Sequence, residues 1–350
     1  PMLWDVFCRV VDNFGDIGVC WRLAADLAAR GQHIRLWVDD PSALTWLAPA
    51  GAPGVELVHW TDATPIPSPG QVVIEAFGCD PPEAFVAAMA ACPRAPVWLN
   101  LEYLSAEPYV EHSHGLRSPQ GSGPGRGLDK WFFYPGFTAA TGGLLREPGL
   151  QAEQLAFDPV PWYLAQGIAR NPGERLVSLF CYAGADVPAL LDRLAGTPTL
   201  VVTAPGPATA GLAGITCPPG VRAQPLRWLS QIDYDRLLWS CDLNLVRGED
   251  SFVRAQWAGR PFLWHIYPQH DGVHADKLDA FLARFLAGSP RDLSVSLHAW
   301  MHGWNSLSAG LPSAFPPWPD WLAQAGRWRR HLRCQTDLTS QLLAFVLERR

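Results

Sequence analysis

Two short polar runs contain the residue types in this sequence that are best suited to chemistry. The first, Asp12–Gly18, reads Asp-Asn-Phe-Gly-Asp-Ile-Gly, and the second, Arg247–Ser251, reads Arg-Gly-Glu-Asp-Ser. Asp12 and Asp16 put two carboxylates beside Gly15 and Gly18, and glycine lets the backbone turn tightly and lets a ligand come close. The second run suits an anion, because the N–H groups at a helix start attract phosphate.

Both runs are expected to lie where a strand ends and a helix begins. Leu3–Val11 predicts a buried strand before the first run, and Val19–Arg30 has apolar residues at helical spacing after it. Asp242–Val246 and Phe252–Ala258 give the same strand and helix pattern around the second run. Ligands bind beyond the carboxyl ends of strands in open α/β sheets, so both runs are predicted to be binding loops.

Each run also has a purely structural interpretation. Asp16 and Ser251 are of the types that cap helix N-termini, and Ser251 also offers a hydroxyl group. Glu249 and Asp250 would repel phosphate, so they bind ribose or sugar hydroxyls, orient a neighbouring cation, or only stabilise the helix start. The residues alone leave these alternatives open.

A third group of side chains is suited to holding a flat base. Trp228, Gln231 and Tyr234 surround one junction between a loop and a helix, where two rings would cover the faces of a pyrimidine and the amide its edge. Phe180 and Tyr182 end a predicted strand and alternate onto one face, where they would complete this pocket. Ordinary core packing is the competing interpretation, because the chain has 17 tryptophans.

Strands and helices alternate twice along the chain. The remaining predicted strands are His33–Val38, Val55–His59, Val72–Phe77, Val97–Leu101, Leu176–Tyr182, Thr199–Thr203 and Pro261–Trp264. This alternation predicts βαβ units and parallel sheets, and so an α/β architecture of two Rossmann-like domains. We expect an acceptor-side domain over residues 1–155 and a nucleotide-sugar domain over 156–330. A final helix in 331–350 is expected to pack back toward the first domain.

Composition and the absence of common motifs argue against several classes of function. A net charge of −6 over 350 residues does not suggest nucleic-acid binding. Eight cysteines without a Cys-x-x-Cys pair predict free thiols in a reducing cytoplasm, and no apolar run is long enough to span a bilayer. No metal-ligand triad, Walker loop or Gly-x-Gly-x-x-Gly fingerprint occurs. Ser113–Gly127 is rich in Gly, Pro and Ser and predicts a long surface loop.

The sequence resembles a known enzyme family across essentially its whole length. Asp5–Leu23, Tyr134–Glu147 and Arg247–Arg260 are similar to signatures of EarP, the protein-arginine rhamnosyltransferases that modify bacterial elongation factor P. The resemblance implies a GT-B glycosyltransferase fold with two domains facing across a cleft. It also implies dTDP-β-L-rhamnose as donor, a specific arginine of elongation factor P as acceptor, inversion at the anomeric carbon, a cytoplasmic location and no metal or other cofactor.

The resemblance also implies roles for individual residues. Asp12, Asp16 and Glu249 match the family's functional carboxylates. We expect Asp16 to take the acceptor proton, Asp12 to position the acceptor, the donor sugar or Asp16, and Glu249 to hold the nucleotide ribose or the donor. Arg247 or Arg254 would supply charge to the leaving diphosphate. The expected donor-binding residues are Asn13, Phe14, Gly15, Phe180, Tyr182, Trp228, Gln231, Tyr234, Arg247, Glu249, Asp250 and Ser251.

Two other functions stay open at this level. One is another metal-independent GT-B enzyme that uses a different nucleotide sugar. The other is a non-enzymatic module that docks elongation factor P through an acidic surface. Neither nucleic acid nor a membrane is an expected partner.

Overall fold

A computed structural model describes all residues, 1–350, and the chain divides into two compact units. The first unit comprises Pro1–Pro148 together with Gln335–Arg350, and the second comprises Gly149–Cys334. The division therefore falls earlier than the expected residue 155. The reason is that the helix after Gly149 contacts the second unit, where Gln154 Nε2 donates to the carbonyl of Ala258 over 3.2 Å.

The elements follow one another in an alternating order. The first unit opens with β1 (Leu3–Cys8), α1 (Gly15–Ala29), β2 (His33–Val38), α2 (Leu44–Leu47), β3 (Val55–His59), β4 (Val72–Ala76), α3 (Glu83–Ala91), β5 (Val97–Leu101), α4 (Tyr109–Ser113), β6 (Arg117–Pro119) and β7 (Asp129–Phe133). The second unit contains α5 (Leu150–Ala156), α6 (Pro159–Ala165), β8 (Arg175–Leu179), α7 (Val187–Leu194), β9 (Thr199–Thr203), α8 (Pro207–Ala210), β10 (Val221–Pro225), α9 (Gln231–Ser240), β11 (Leu243–Arg247), α10 (Asp250–Ala258), β12 (Phe262–His265), α11 (Val273–Phe285), α12 (Arg291–Trp304) and α13 (Trp318–Arg333). Helix α14 (Leu338–Glu348) then completes the first unit.

The first unit is built on a seven-stranded sheet of order β3-β2-β1-β4-β5-β7-β6. All neighbouring strands pair in parallel except β6, which runs antiparallel to β7. Strand β6 lies inside Ser113–Gly127, so the expectation of one long loop there is wrong: Arg117–Pro119 finds backbone partners on β7. The strand order reverses between β1 and β4, and ligands bind at such a switch point in open sheets.

Apolar side chains cover both faces of this sheet because successive strand residues point to opposite sides. Val6 packs in one core cluster with Leu23 of α1 and Leu342 of α14. Phe7 packs on the other face against Phe85 of α3, with ring centroids 4.8 Å apart. Each such burial contributes about 1.5–3 kcal/mol. Strand β1 is thereby fixed from both sides, and with it the loop that follows.

Helix α14 is tied to α1 by polar contacts as well as by packing. Asp337 caps α14 by accepting from Ser340 N over 3.0 Å. The same carboxylate lies 2.7 Å from Arg30 Nη2 at the end of α1, and Arg30 also pairs with Asp26 at 2.9 Å. The last helix is therefore part of the first unit's structure.

The second unit is built on a five-stranded parallel sheet of order β10-β9-β8-β11-β12. Its order reverses between β8 and β11, the strands that precede Phe180 and Gly248. Edge strand β10 is not among the predicted strands. Val221–Pro225 is only partly buried, and its polar residues and terminal proline are typical of a loop.

All eight cysteines are free thiols, and five of them are buried. No helix combines the length and the apolar character needed to cross a membrane.

Candidate active site

The acidic loop of the first unit lies at the sheet's switch point, between β1 and α1. Asp39 Oδ1 accepts the N–H of Val10 over 2.9 Å. Asp16 Oδ2 accepts the N–H groups of Val11 and Asp12, each over 2.9 Å. Asp16 is therefore no N-cap: it lies inside the first turn of α1 and binds the loop that precedes the helix.

Burial gives Asp16 the character of a proton acceptor. Its side chain is only 2% exposed. Burial raises the pKa of Asp16, and the hydrogen bonds from Val11, Asp12 and Tyr103 partly offset that rise, because they favour the ionised form. A carboxylate with a raised pKa binds a proton more readily than an ordinary aspartate, as a general base requires.

Tyr103 is a part of this site that the sequence reasoning missed. Its hydroxyl donates to Asp16 Oδ1 over 3.2 Å. Its ring stacks on Phe77, with centroids 4.2 Å apart and planes 5° apart. Phe77 follows β4 with a positive φ of 58°, and Tyr103 follows β5. The available signal was position, because Phe77 ends one predicted strand and Tyr103 follows another, at the sheet edge where β1 also ends.

Asp12 lies next to Asp16 in the loop, and its backbone N–H donates to Asp16 Oδ2. A Cβ atom on Gly15 would lie 2.6 Å from Asp12 Oδ2, so a larger residue at this position would displace the carboxylate. Phe14 is at the N-cap position with φ 73°, and its ring makes an edge contact with Trp46 at 5.0 Å. Asn13 is exposed. The donor-binding role of Asn13, Phe14 and Gly15 stays a prediction.

In the second unit, a buried arginine joins two of the predicted aromatic residues. The Cζ atom of Arg247 lies 4.3 Å from the ring centroid of Phe180 and 4.6 Å from that of Tyr182. Arg247 Nη1 donates to the carbonyl of Cys181 over 3.1 Å. Tyr234 meets Phe180 edge-on at 6.0 Å. The structure therefore brings three predicted rings together around a fixed positive charge.

The amide of the predicted base pocket lies at the start of α9. Gln231 is the first residue of that helix, and its Nε2 is 3.4 Å from Asp250 Oδ2, so the starts of α9 and α10 adjoin. Burial raises the pKa of Tyr234 well above its ordinary value, with Asp250 adding to the rise, so its phenol is neutral. Trp228 precedes α9 and is half-buried.

Helix α10 begins earlier than predicted, at Asp250, with Glu249 at the N-cap position. The expectation that Ser251 is the N-cap is therefore wrong. Ser251 lies in the first helical turn, where its Oγ donates to the carbonyl of Arg247 and accepts the N–H of Arg247 over 3.2 Å. These bonds close the tight turn through Gly248, and Glu249 and Asp250, which follow it, are half-buried.

The two candidate arginines have different surroundings. Arg254 makes two hydrogen bonds with Asp235, from Nε to Oδ1 over 3.0 Å and from Nη2 to Oδ2 over 2.8 Å, and both residues are buried. This pair joins α9 to α10. Arg247 lies among the predicted donor-binding rings instead, and its role at a diphosphate stays a prediction.

His265 supports this region from β12. It is buried, and its Nδ1 accepts the N–H of Tyr182 over 3.2 Å. Burial and the neighbouring Arg247 lower the pKa of His265 to about 4, so the ring is neutral near pH 7. Its carbonyl accepts the N–H of Gly248 over 3.1 Å. His265 therefore links the loop after β8 to the turn after β11, a role that the sequence did not indicate.

Sequence comparison places the chain among known glycosyltransferases. The family described as "Elongation-Factor P (EF-P) rhamnosyltransferase EarP" matches residues 4–347. A Pseudomonas aeruginosa protein named protein-arginine rhamnosyltransferase is 43% identical, with 99% of each chain covered. A protein of the same name from Neisseria meningitidis is 35% identical, covering 99% of this chain and 97% of its own.

Structural comparison agrees with this placement. The solved structure described as "Structural basis for EarP-mediated arginine glycosylation of translation elongation factor EF-P" is similar, with a TM-score of 0.67, 32% identity and 99% of each chain covered. The Spinosyn rhamnosyltransferase SpnG shares the fold, with a TM-score of 0.52, 14% identity and 99% coverage of each chain. The fold is that of the GT-B glycosyltransferases, and the chain belongs to the EarP family of elongation-factor P rhamnosyltransferases.

Proposed function

We propose that this chain transfers L-rhamnose from dTDP-β-L-rhamnose to one arginine side chain of translation elongation factor P, with inversion at the anomeric carbon. The names of its relatives supply the acceptor and the sugar. The observation that carries the mechanism is the buried Asp16 carboxylate at the switch point of the first sheet, beside the half-buried Asp12. Two carboxylates there suit a guanidinium group, whose planar N–H donors pair with carboxylate oxygens.

The acceptor chemistry requires a base. A guanidinium group has a pKa above about 12, so its nitrogen is a poor nucleophile until a proton leaves. In the proposed step, an arginine nitrogen forms a bond to the anomeric carbon while its proton passes to the Asp16 carboxylate. The bond from that carbon to the diphosphate oxygen breaks, and its electron pair leaves with dTDP. Asp12 orients the guanidinium.

The donor chemistry requires charge stabilisation at the diphosphate. We assign this to Arg247, whose guanidinium is fixed on the rings of Phe180 and Tyr182, and to the N–H groups and helix dipole at the start of α10. These groups supply the positive charge without a metal ion in the proposed site. Glu249, at the N-cap position of α10, holds the ribose or the sugar hydroxyls.

The base pocket is assigned to the remaining aromatic residues. Phe180 and Tyr234 contact each other, and Gln231 begins the helix that carries Tyr234. The rings would cover the faces of thymine, the Gln231 amide would bond its edge, and Trp228 would close the pocket from the loop before α9. Neutral Tyr234 and neutral His265 add no charge beside the base.

A donor screen and one variant test this proposal. dTDP-β-L-rhamnose and dTDP are expected to raise the melting temperature more than UDP-sugars do. Stabilisation by UDP-sugars alone would indicate a GT-B enzyme with another donor. Asp16→Asn is expected to lose transfer while dTDP still binds, because the amide keeps the side-chain shape and cannot accept the proton. Asp26→Asn is the matched control, since Asp26 is equally buried on α1 but pairs with Arg30.

A further inference from the structure

Three side chains with metal-binding chemistry converge on two helices of the second unit. Asp279 is on α11, and His298 and His302 lie one helical turn apart on α12. The Nε2 atoms of His302 and His298 lie 2.6 Å and 3.4 Å from the same oxygen, Asp279 Oδ1. We propose that these three residues form a binding site for a divalent transition-metal ion of the Zn²⁺ type.

The distances fit such an ion after a small adjustment. Zn–N bonds of about 2.0–2.1 Å and Zn–O bonds of about 2.0–2.2 Å, in tetrahedral geometry, separate neighbouring ligand atoms by about 3.3–3.5 Å. The distance from His298 to Asp279 already has this value, and that from His302 must widen by about 0.7 Å. The donor atoms of all three residues lie within 4.8 Å of one another.

The helices preorganise the two histidines. Residues four apart on a helix share a face, and the two imidazole rings stack with centroids 4.2 Å apart and planes 21° apart. Buried neighbours fix both helix backbones, with Leu278 on α11 and Met301 on α12 fully covered. The adjustment of about 0.7 Å is therefore assigned to the side chains, on helix backbones that packing already fixes.

The site is open to an ion from solvent. The side chain of Asp279 is 47% exposed, that of His298 is 51% exposed and that of His302 is 20% exposed. Two imidazoles and one carboxylate are a common protein ligand set for zinc, and the fourth position is left for water. The same set also accepts Cu²⁺ and Ni²⁺, so Zn²⁺ serves as the probe of a class of ions.

A bound ion would connect α11 to α12, and α12 braces the strand that carries His265. At the end of α12, Asn305 Oδ1 accepts the N–H of Ile266 over 2.9 Å and Asn305 Nδ2 donates to the carbonyl of Trp264 over 2.8 Å. The ion would therefore stabilise a helix pair that supports β12. This inference is independent of the proposed donor and acceptor, because none of the three ligands has a role in that reaction.

Isothermal titration of the full chain with ZnCl₂ tests the site, after chelator treatment and removal of the chelator. A Cys334→Ser background removes an exposed thiol, since a thiolate is a zinc ligand that would compete with the proposed site. One equivalent is expected to bind and to raise the melting temperature. His298→Gln, His302→Gln and Asp279→Asn are each expected to weaken binding by at least about tenfold. Exposed His33, changed to Gln, is the matched control and is expected to bind as the parent does.

Two results would overturn the proposal. One is the lack of stoichiometric binding at micromolar Zn²⁺ in the parent. The other is unchanged affinity in a variant that combines all three substitutions and keeps the parent's circular dichroism spectrum. Co²⁺ gives an independent readout, since a tetrahedral site with bound nitrogen produces visible absorption bands, and these should be lost in His302→Gln but not in His33→Gln.

Discussion

The hydroxyl group of Tyr103 donates a hydrogen bond to Oδ1 of Asp16 across 3.2 Å, and this bond ties the end of β5 to the first turn of α1. The other oxygen of Asp16 accepts two backbone N–H groups from the preceding loop. The carboxylate is therefore held at both oxygens while it is almost completely buried. Its pKa is a balance between burial, which raises it, and these hydrogen bonds, which lower it.

Tyr103→Phe is expected to shift the acid side of the pH profile of kcat/KM to higher pH. A base must be unprotonated, so activity falls as the pH drops through the pKa of Asp16. The variant loses a hydrogen bond that lowers this pKa, so the fall begins at higher pH. Tyr109→Phe is the control, because its hydroxyl bonds Ser105 instead. Identical pH profiles of kcat/KM for Tyr103→Phe and the parent would show that Tyr103 has no effect on the pKa of the base.

Asp16→Asn is expected to raise the melting temperature at neutral pH. The pKa of Asp16 is raised above 3.8 on folding, so the folded chain binds this proton more tightly than the unfolded chain does. The stability that the protonated carboxyl contributes is present in full below the unfolded pKa, and it is lost as the pH rises through the folded pKa. The gain of the variant should therefore shrink as the pH falls toward 4.

Asp337→Asn is expected to change the melting temperature in the opposite direction to Asp16→Asn at neutral pH. Burial raises the pKa of Asp337, but the hydrogen bonds from Ser340 and the charge of Arg30 outweigh it, and the pKa is lowered. This variant should lose stability at neutral pH, and the loss should fade on acidification. Equal pH dependence of both variants would contradict the electrostatic account.

Gly15→Ala is expected to lower kcat by about 10- to 100-fold, because a misplacement of reacting groups by about 1 Å has effects of this size. The added Cβ would lie 2.6 Å from Asp12 Oδ2 and must displace that carboxylate. A loss of folding stability would not explain the lower kcat, because alanine has a higher helix propensity than glycine. Gly326→Ala in α13 is the control, where the nearest atom would be an arginine nitrogen at 3.5 Å. Turnover as in the parent would show that the position of Asp12 has no effect on transfer.

We expect two arginine substitutions to have different effects: Arg247→Gln should reduce donor affinity, and Arg254→Gln should reduce stability. Arg247→Gln should weaken dTDP binding by about 10- to 100-fold, as the loss of a charged hydrogen bond of about 1.5–3 kcal/mol implies. Arg254→Gln leaves Asp235 buried without its cation and should cost about 3–5 kcal/mol of unfolding free energy. Calorimetric titration and urea unfolding measure the two quantities. If Arg254→Gln instead lost dTDP affinity and Arg247→Gln lost stability, Arg254 would be the residue that binds the diphosphate.

Local sequence patterns account for most of the sheet architecture. His33–Val38, Val55–His59 and Thr199–Thr203 begin and end as predicted, because each has β-prone residues bounded by turn-forming residues. Two of the edge strands, β6 and β10, were missed, since both are polar and both end in a proline, which is typical of a loop.

The sequence indicated residues of the candidate site only where several of them occur together in one loop. Asp12, Asp16 and Glu249 stand out because unusual residue types occur at strand ends. The contact of Tyr103 with Asp16 spans 87 positions, and that of Tyr182 with His265 spans 83, so no local pattern could indicate either. The helix starts were misjudged for a related reason, because Asp16 and Ser251 bond backbone groups ahead of their helices instead of capping them.

Intact-mass spectrometry of elongation factor P, after incubation with this protein and dTDP-β-L-rhamnose, shows whether the chain transfers rhamnose to arginine. We expect a mass gain of one deoxyhexosyl group, mapped by fragmentation to a single arginine, and no gain with the Asp16→Asn variant. No mass change with the parent enzyme, or a gain that maps to another residue type, would contradict this expectation.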